Sequence, residues 1–232
     1  MENTVRWWLE EFKDEEVGLV LKTNLIKTSI IDRHHTINRL NNLLSEYKNS
    51  KCKVYLIHGN MKPEELTSLY RHPKIKCLAS LTHGEGFGLP MFEAAYNGMP
   101  VIAPDWSGHK DFLYAIKKVK KKGKTTKKMS AHFTKVAYDL KPIQKEVVWD
   151  GVLMDGSLWC YPKEDSYKSR LREVYKNYNR AANQAKALQK YLITNFKEED
   201  KYKEMADSVK DACGFEIENE INAMFDRAQQ QA

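Results

Sequence analysis

The residues best suited to chemistry lie in the stretch THGEGFGLPMFEAAYNG (82–98), between a short apolar segment and a helical pattern. Gly84, Gly86 and Gly88 stand directly before the expected start of that helix. Glycines let a backbone turn tightly and approach a ligand closely, and the first turn of a helix offers free N–H groups with a partial positive charge. Together these features favour the binding of a phosphate group.

The spacing of these glycines argues against two common classes of nucleotide-binding protein. It does not follow the Gly-x-Gly-x-x-Gly pattern of dinucleotide dehydrogenases, and no Gly-Lys-Ser/Thr follows, as a P-loop NTPase would require. The loop therefore predicts a phosphate site of another kind.

Two carboxylates accompany the glycines. Glu85 lies within the loop and Glu93 lies in the first turns of the following helix. Ionised carboxylates repel a phosphate but accept hydrogen bonds from hydroxyl groups. A ligand that carries both phosphate and sugar diols would explain the glycines and the acids in one site. Taken singly, Glu93 could merely complement the helix dipole and Glu85 could be a solvated loop acid.

The first half of the chain alternates between strand-like and helical segments. Strands are predicted over 17–23, 52–59, 75–81 and 99–104, and helices over 33–48, 63–71 and 88–98. Short connections between such segments indicate βαβ units, so we expect an α/β fold with a Rossmann-like, doubly wound parallel sheet. Ligands bind such sheets beyond the carboxyl ends of the strands, which is where the glycine loop lies.

Outside this alternation the sequence predicts further elements and three regions. Val5, Trp8, Leu9 and Phe12 form a helical stripe that should pack on other parts of the chain. Strand-like stretches occur within 134–143 and 147–162, and extra C-terminal helices are expected. These helices are predicted over 165–191, 196–212 and 216–230. We divide the chain into an N-terminal helix and linker (1–16), a ligand-binding domain (17–195) and a C-terminal helical extension (196–232).

The charge of the chain is concentrated in one tract. The formal net charge is +7, and eight lysines lie within 117–128, so subtracting them leaves −1 for the remainder. We interpret 117–128 as a solvated, lysine-rich surface loop, with attraction of an anionic partner as the alternative. Nucleic-acid binding is the weaker form of that alternative because no aromatic residue lies inside the tract. Peripheral contact with a membrane surface stays open.

Apolar runs, the first residues and the cysteine spacing argue against several classes of protein. Apolar runs long enough to span a membrane are absent from the sequence, and the first residues do not resemble a secretory signal. The four cysteines lack metal-ligand spacing, which argues against zinc fingers and disulfide-rich miniproteins. We expect a cytoplasmic protein.

The segment HGEGFGLPMFEAAYNGMPVIAPDWSGHKDFL (83–113) resembles the donor-site signature of retaining glycosyltransferases with the GT-B fold, notably glycosyltransferase family 4. That family has two glutamates eight residues apart in a pattern that ends in a second glycine loop. The matching positions are Glu85, Gly86, Phe87, Gly88, Leu89, Pro90, Glu93, Ala94, Gly98, Pro100 and Val101. The resemblance implies the C-terminal, nucleotide-sugar-binding half of a GT-B fold.

The resemblance also implies roles for individual residues. Glu85 would bind the donor sugar near the reacting carbon, and Glu93 would take the ribose hydroxyls. Two basic residues are expected after the first strand, without the glycine that the family usually has there. Catalytic candidates are therefore Glu85, Lys22 and Lys27. Donor-binding candidates are Gly86, Phe87, Gly88, Leu89, Glu93, Arg33, His58, Gly59 and His83.

The implied reaction is transfer of a sugar from a nucleoside-diphosphate sugar, such as a UDP- or GDP-sugar, to an unknown acceptor with retention of configuration. Asp-x-Asp does not occur in the sequence, so we expect a site without metal or other cofactor. An acceptor domain would lie on a missing N-terminal half or a partner chain, and a homodimer is a further expectation. The alternatives are a non-catalytic nucleotide-sugar-binding module and, less favoured, a nucleic-acid-associated protein that uses the basic tract.

Overall fold

The computed structural model of the chain describes residues 2–24, 28–121 and 124–213. The predicted helix over 216–230 lies outside these residues. Contacts between residues divide the chain into two compact units, residues 1–189 and 190–232. The three regions proposed from the sequence stay a prediction. In the described part of the chain, no helix is both long and apolar enough to cross a membrane.

The first half of the chain alternates between helices and strands as predicted. The elements in order are α1 (Glu2–Phe12), β1 (Gly18–Thr23), α2 (Ile30–Leu44), β2 (Lys53–His58), α3 (Pro63–Arg71), β3 (Leu78–Ala79), α4 (Leu89–Tyr96), β4 (Val101–Pro104) and α5 (Lys110–Leu113). The second half continues with β5 (Tyr114–Lys121), β6 (Lys124–Ala131), β7 (Thr134–Val136), β8 (Tyr138–Pro142), β9 (Leu158–Pro162), α6 (Glu164–Lys176), α7 (Tyr178–Asn195) and α8 (Glu198–Cys213).

The strands of the α/β layer pair in parallel. β1 pairs with β2, and β4 lies between β3 and β7 in a second parallel ladder. Every residue of β4 is buried, as expected for a strand that is covered on both faces. Side chains from both ladders pack in one hydrophobic cluster that includes Ile102, Val136 and the partly buried Leu19 and Val54. The chain therefore has the mixed α/β, Rossmann-like fold that the sequence predicted.

The strand predicted over 75–81 is shorter than expected. Only Leu78 and Ala79 form β3, and the flanking hydrogen bonds run from Leu78 N to Pro100 O and from Ser80 N to Ile102 O. The ladder thus covers two of the four residues of β4.

Two predictions for the second half of the chain are wrong. The lysine-rich tract 117–128 is not a loop, because its described residues belong to the antiparallel pair β5–β6. The helix predicted over 165–191 is broken at Asn177, whose φ of −120° and ψ of 40° are not helical. Apolar residues continue at helical spacing across this break, so the pattern gave no sign of it.

Helix α1 packs on α6 and completes the core. Val5, Trp8, Leu9 and Phe12 are all buried, as the stripe predicted. Across the interface Arg172 of α6 donates to Glu11 and Glu15, with N–O distances of 2.6 and 2.7 Å. The apolar stripe and these ion pairs fix α1 to the same core that the strands share.

Candidate functional site

The glycine loop is held in place by a second loop, residues 105–109, that follows β4. Gly108 donates from its N–H to the carbonyl of Glu85 (3.1 Å), and a Cβ at Gly108 would come within 1.9 Å of the Gly86 oxygen. Only glycine allows two backbones to approach this closely. The two loops therefore form one unit at the carboxyl ends of β3 and β4.

Ser107 fixes the same contact from its side chain. Its Oγ accepts a hydrogen bond from the N–H of Glu85 (2.9 Å) and donates to the Glu85 carbonyl (2.6 Å). Ser107 holds this position with a φ of +79°, in a region that residues other than glycine rarely adopt. The serine thus uses a costly backbone conformation to fix the backbone of Glu85.

The start of α4 lies beside this unit. Gly88 caps the helix in the left-handed conformation (φ +91°), and its carbonyl accepts from the N–H groups of Met91 and Phe92. Among the described residues, no hydrogen bond uses the N–H groups of 86–89. A helix N-terminus with unused donors favours an anion.

The ring of Phe87 packs on two other aromatic rings, although the residue stays 38% exposed. Its ring lies 5.3 Å from that of Phe92 and 4.9 Å from that of Phe112, which is fully buried. Aromatic packing of this kind stabilises the loop conformation.

Of the two carboxylates, Glu93 has a tyrosine partner. The hydroxyl of Tyr70, at the end of α3, donates to Glu93 Oε2 over 3.3 Å. Burial and the neighbouring carboxylate raise the pKa of Tyr70, so it stays a hydrogen-bond donor across the neutral range. Glu93 is only half-buried, and a carboxylate has further lone pairs for ligand hydroxyls.

Candidates on β1 and β2 form a second group. The pairing places Thr23 opposite His58, so the two strands end together. Lys22 donates from Nζ to the carbonyl of Gly59 over 2.5 Å, just beyond β2. Lys27 lies outside the described residues, and Arg33 is exposed on α2.

His58 is paired with an acid that the sequence did not indicate. Its Nε2 lies 2.9 Å from Oδ2 of Asp32, and both side chains are almost completely buried (6% and 7% exposed). Asp32 lies in the first turn of α2, capped by the side chain of Ser29. The pair therefore ties the end of β2 to the start of α2.

His83 connects the end of β3 to β9. Its Nδ1 lies 2.7 Å from the Cys160 carbonyl, and its own carbonyl accepts from the Cys160 N–H (3.1 Å). The ring stacks on Trp159 at 4.9 Å with an interplanar angle of 7°. One ring nitrogen and one ring face of His83 are thus engaged within the protein, which supports a positioning role.

The structure thus places most of the candidates in two groups. The glycine-loop group consists of residues 85–89 and Glu93, and the β1–β2 group consists of Lys22, His58 and Gly59. No hydrogen bond of the described residues joins one group to the other. Sequence reasoning missed Ser107, Gly108, Tyr70 and Asp32. The second glycine loop of the family pattern was a signal for Gly108, whereas Tyr70 and Asp32 are joined to the site only by folding.

A depression of about 270 Å³ lies elsewhere on the surface, beside β7, α6 and α7. Its charged side chains are largely paired with one another. Arg170 donates to Glu173 (2.6 Å) and to the carbonyl of Lys135 (3.1 Å). None of the residues predicted for the donor site lines it.

Comparison with known proteins gave a match to a family model. Residues 21–117 match the family model described as glycosyl transferases group 1. No curated protein matches the chain. The matched segment runs from β1 into β5 and includes the glycine loop, its clamp at Ser107 and Gly108, and both glutamates. Over residues 21–117 the chain is therefore similar to the group 1 glycosyltransferases, which supports a glycosyl transfer function on a Rossmann-like domain of the GT-B kind.

Proposed function

We propose that the chain is the donor-binding, C-terminal-type domain of a family 4-like glycosyltransferase and binds a nucleoside-diphosphate sugar at the glycine loop. The observation that carries the proposal is the close approach of Gly108 to Gly86, which fixes the glycine loop against the loop after β4 beside the start of α4. The diphosphate lies against the N–H groups of 86–89, where the helix dipole favours negative charge.

The carboxylates orient the rest of the donor. Glu93, held by Tyr70, accepts hydrogen bonds from the ribose hydroxyls. Glu85, whose backbone is fixed by Ser107, accepts from the donor sugar near the reacting carbon. Each acid is positioned by a contact outside its own segment, and such positioning lowers the entropy cost of reaching the reactive geometry.

We propose transfer with retention and without a metal. As the bond to the sugar breaks, negative charge develops on the leaving diphosphate, and preorganised N–H groups and cations stabilise that charge. Lys22 is the described candidate cation. An ammonium has three donors, and the bond to Gly59 uses one of them. Lys27 and Arg33 are the further candidates.

The first test is thermal stabilisation by UDP-, GDP- and ADP-sugars, without metal and with magnesium. At ~100 times the Kd, a donor stabilises the fold by about 2.7 kcal/mol, or a Tm rise of roughly 5–10 °C for a chain of this size. A rise with one base, equal with and without magnesium, supports the proposal. If none of these donors raises Tm, or the rise requires magnesium, the corresponding part of the proposal is wrong.

Gly86→Ala is the sharpest variant for this test. A Cβ at Gly86 would meet no protein atom within 4 Å, so we expect the unliganded Tm to stay within about 2 °C of wild type. A diphosphate close to the loop would collide with the new methyl group, and the ligand-induced rise should disappear. Gly84→Ala, whose Cβ would have an ordinary 3.6 Å contact with Ser107 Oγ, is the matched control and should bind normally.

Transfer is tested separately from binding. Glu85→Gln should abolish turnover of the bound donor and retain the thermal shift, whereas Glu93→Ala should weaken the shift itself. Wild-type protein that binds a donor but gives no turnover with a broad acceptor panel would support a non-catalytic nucleotide-sugar-binding module instead.

A further inference from the structure

The β5–β6 hairpin has a charge pattern that opposes its own folding. Its register places Lys117 opposite Lys128, Lys118 opposite Lys127 and Lys121 opposite Lys124. Like charges directly opposite each other destabilise an antiparallel pair. Residues 114–131 contain no aspartate or glutamate that could compensate. The register therefore concentrates positive charge on both strands of the hairpin.

The contacts that fix this hairpin lie at its base. The Tyr114 hydroxyl donates to the Asp105 carboxylate (2.8 Å), and the N–H of His132 donates to the Leu113 carbonyl (2.9 Å). Gln184 of α7 donates to the Ala131 carbonyl (2.8 Å). These contacts hold the base of the hairpin in place. The exposed lysines on its strands include Lys117, Lys127 and Lys128.

Two apolar side chains lie on the same face of the hairpin as Lys127. Ile116 and Met129 face each other across the strands, and each is about half exposed (51% and 50%). Alternation along a strand places Met129 on the same face as Lys127. An apolar pair beside lysines is the combination that a bilayer interface accommodates, with the apolar side chains at the acyl boundary and the ammonium groups among the headgroups.

We propose that the β5–β6 hairpin docks this protein onto a bilayer that contains anionic phospholipid. Single-stranded nucleic acid fits the hairpin less well, because it binds to aromatic platforms. Tyr114 is the aromatic residue of the hairpin, and its ring already lies 5.9 Å from Phe133 and 5.0 Å from Lys135 Nζ. The proposal does not depend on the donor site, since it rests on hairpin residues alone.

The test is co-sedimentation of the full chain with vesicles of phosphatidylcholine alone and with about 30% phosphatidylglycerol added. A juxtamembrane lysine strengthens binding to an anionic surface about fivefold. We therefore expect the combined Lys117→Gln, Lys118→Gln, Lys127→Gln and Lys128→Gln variant to lose ~100-fold or more in partitioning. Binding of wild type should require phosphatidylglycerol and weaken steeply between ~0.1 and ~0.5 M salt.

A matched control removes the same charge elsewhere in the first unit. Lys48→Gln, Lys74→Gln, Lys176→Gln and Lys186→Gln replace exposed lysines outside the hairpin. This variant should bind the anionic vesicles within about fivefold of wild type. Ile116→Ser with Met129→Ser keeps every charge and should reduce binding roughly tenfold through loss of apolar contact.

Folding of the hairpin variant is measured in parallel. Removal of facing like charges should leave its Tm equal to or above that of wild type. If its Tm falls instead, binding is measured with the double variant Lys118→Gln with Lys127→Gln, the pair two positions after that of Ile116 and Met129 in the register. The expected loss of binding is ~25-fold.

Three outcomes would overturn the proposal. Equal losses in the hairpin and control variants would indicate a general charge effect. Equal binding to vesicles with and without phosphatidylglycerol would exclude recognition of anionic lipid. Hairpin-dependent binding to a single-stranded or duplex oligonucleotide, without binding to the anionic vesicles, would assign the hairpin to nucleic acid.

Discussion

Gly108 lies against the backbone of Gly86 so closely that no side chain fits between them. A Cβ at Gly108 would stand 1.9 Å from the Gly86 oxygen, 2.7 Å from the Gly86 carbonyl carbon and 3.0 Å from the Glu85 oxygen. All three are backbone atoms, so the collision cannot be relieved by turning a side chain. The position of the glycine loop is thus set by a glycine 22 residues further along the chain.

Gly108→Ala should therefore damage both the fold and the donor site. The methyl group must push the two loops apart, and overpacking of this kind costs roughly 1–3 kcal/mol or more. We expect a lower free energy of unfolding in urea and loss of the thermal shift with donor.

Gly86→Ala provides the contrast on the other side of the same contact. It should lose donor binding while its stability stays near that of wild type, because its Cβ would meet open space. If Gly108→Ala bound donor as tightly as wild type, the clamp would not position the loop for a ligand.

The glycine loop could be predicted from the sequence because its signals are local. Glycines, Pro90 and the apolar residues that follow define a strand, a turn and a helix within about 30 residues. The same reasoning gave α3 at its observed bounds, since Pro63 and two acids mark a helix start.

The partners of the site residues could not be predicted in this way. Tyr70 contacts Glu93 across 23 residues, and Asp32 contacts His58 across 26. Such pairs arise when α3 packs beside α4 and when α2 begins beside the end of β2. No spacing within one segment encodes them.

The β5–β6 hairpin was not predicted from the sequence, for a different reason. Strands are read from alternating apolar and polar residues, and the sequence from Lys117 to Lys128 has one apolar residue, Val119. The observed strands β5 and β6 are defined by backbone pairing, which the pattern of side chains does not predict. The pairing of lysines opposite lysines across these strands is also the basis for proposing an external anionic partner.

The cluster of Asp105, Tyr114 and Lys135 predicts a pH dependence of stability. Partial burial opposes ionisation of Asp105, but hydrogen bonds from Lys135 (2.7 Å) and Tyr114 outweigh it and lower the pKa of the carboxyl. A carboxyl whose pKa is lowered in the folded state stabilises the protein at pH values above the usual aspartate pKa of about 3.9. This stabilisation is lost as the pH falls through the lowered pKa of the folded state.

Asp105→Asn measures this contribution. At pH 7 we expect the variant to be about 1–2 kcal/mol less stable in urea, because a charged acceptor of two hydrogen bonds is lost. The difference from wild type should shrink as the pH is lowered below ~4. Asp155→Asn, on an exposed turn, is the control and should follow wild type at every pH. A difference that stays constant down to pH 2 would contradict the role of the ionised carboxylate.

Helix α1 should be needed for the stability of the α/β layer, although it precedes the alternating strands and helices. Trp8 is 5% exposed and packs 5.4 Å from the Phe12 ring, within the cluster that also contains Ile102 of β4. Trp8→Ala should therefore lower the free energy of unfolding by about 3–5 kcal/mol, measured by urea unfolding at pH 7. Asn3→Ala, on the exposed face of the same helix, should change stability by less than about 0.5 kcal/mol. Equal stability of the two variants would show that α1 is an appendage, whereas the expected difference makes it part of the core that positions β4 and, through Gly108, the glycine loop.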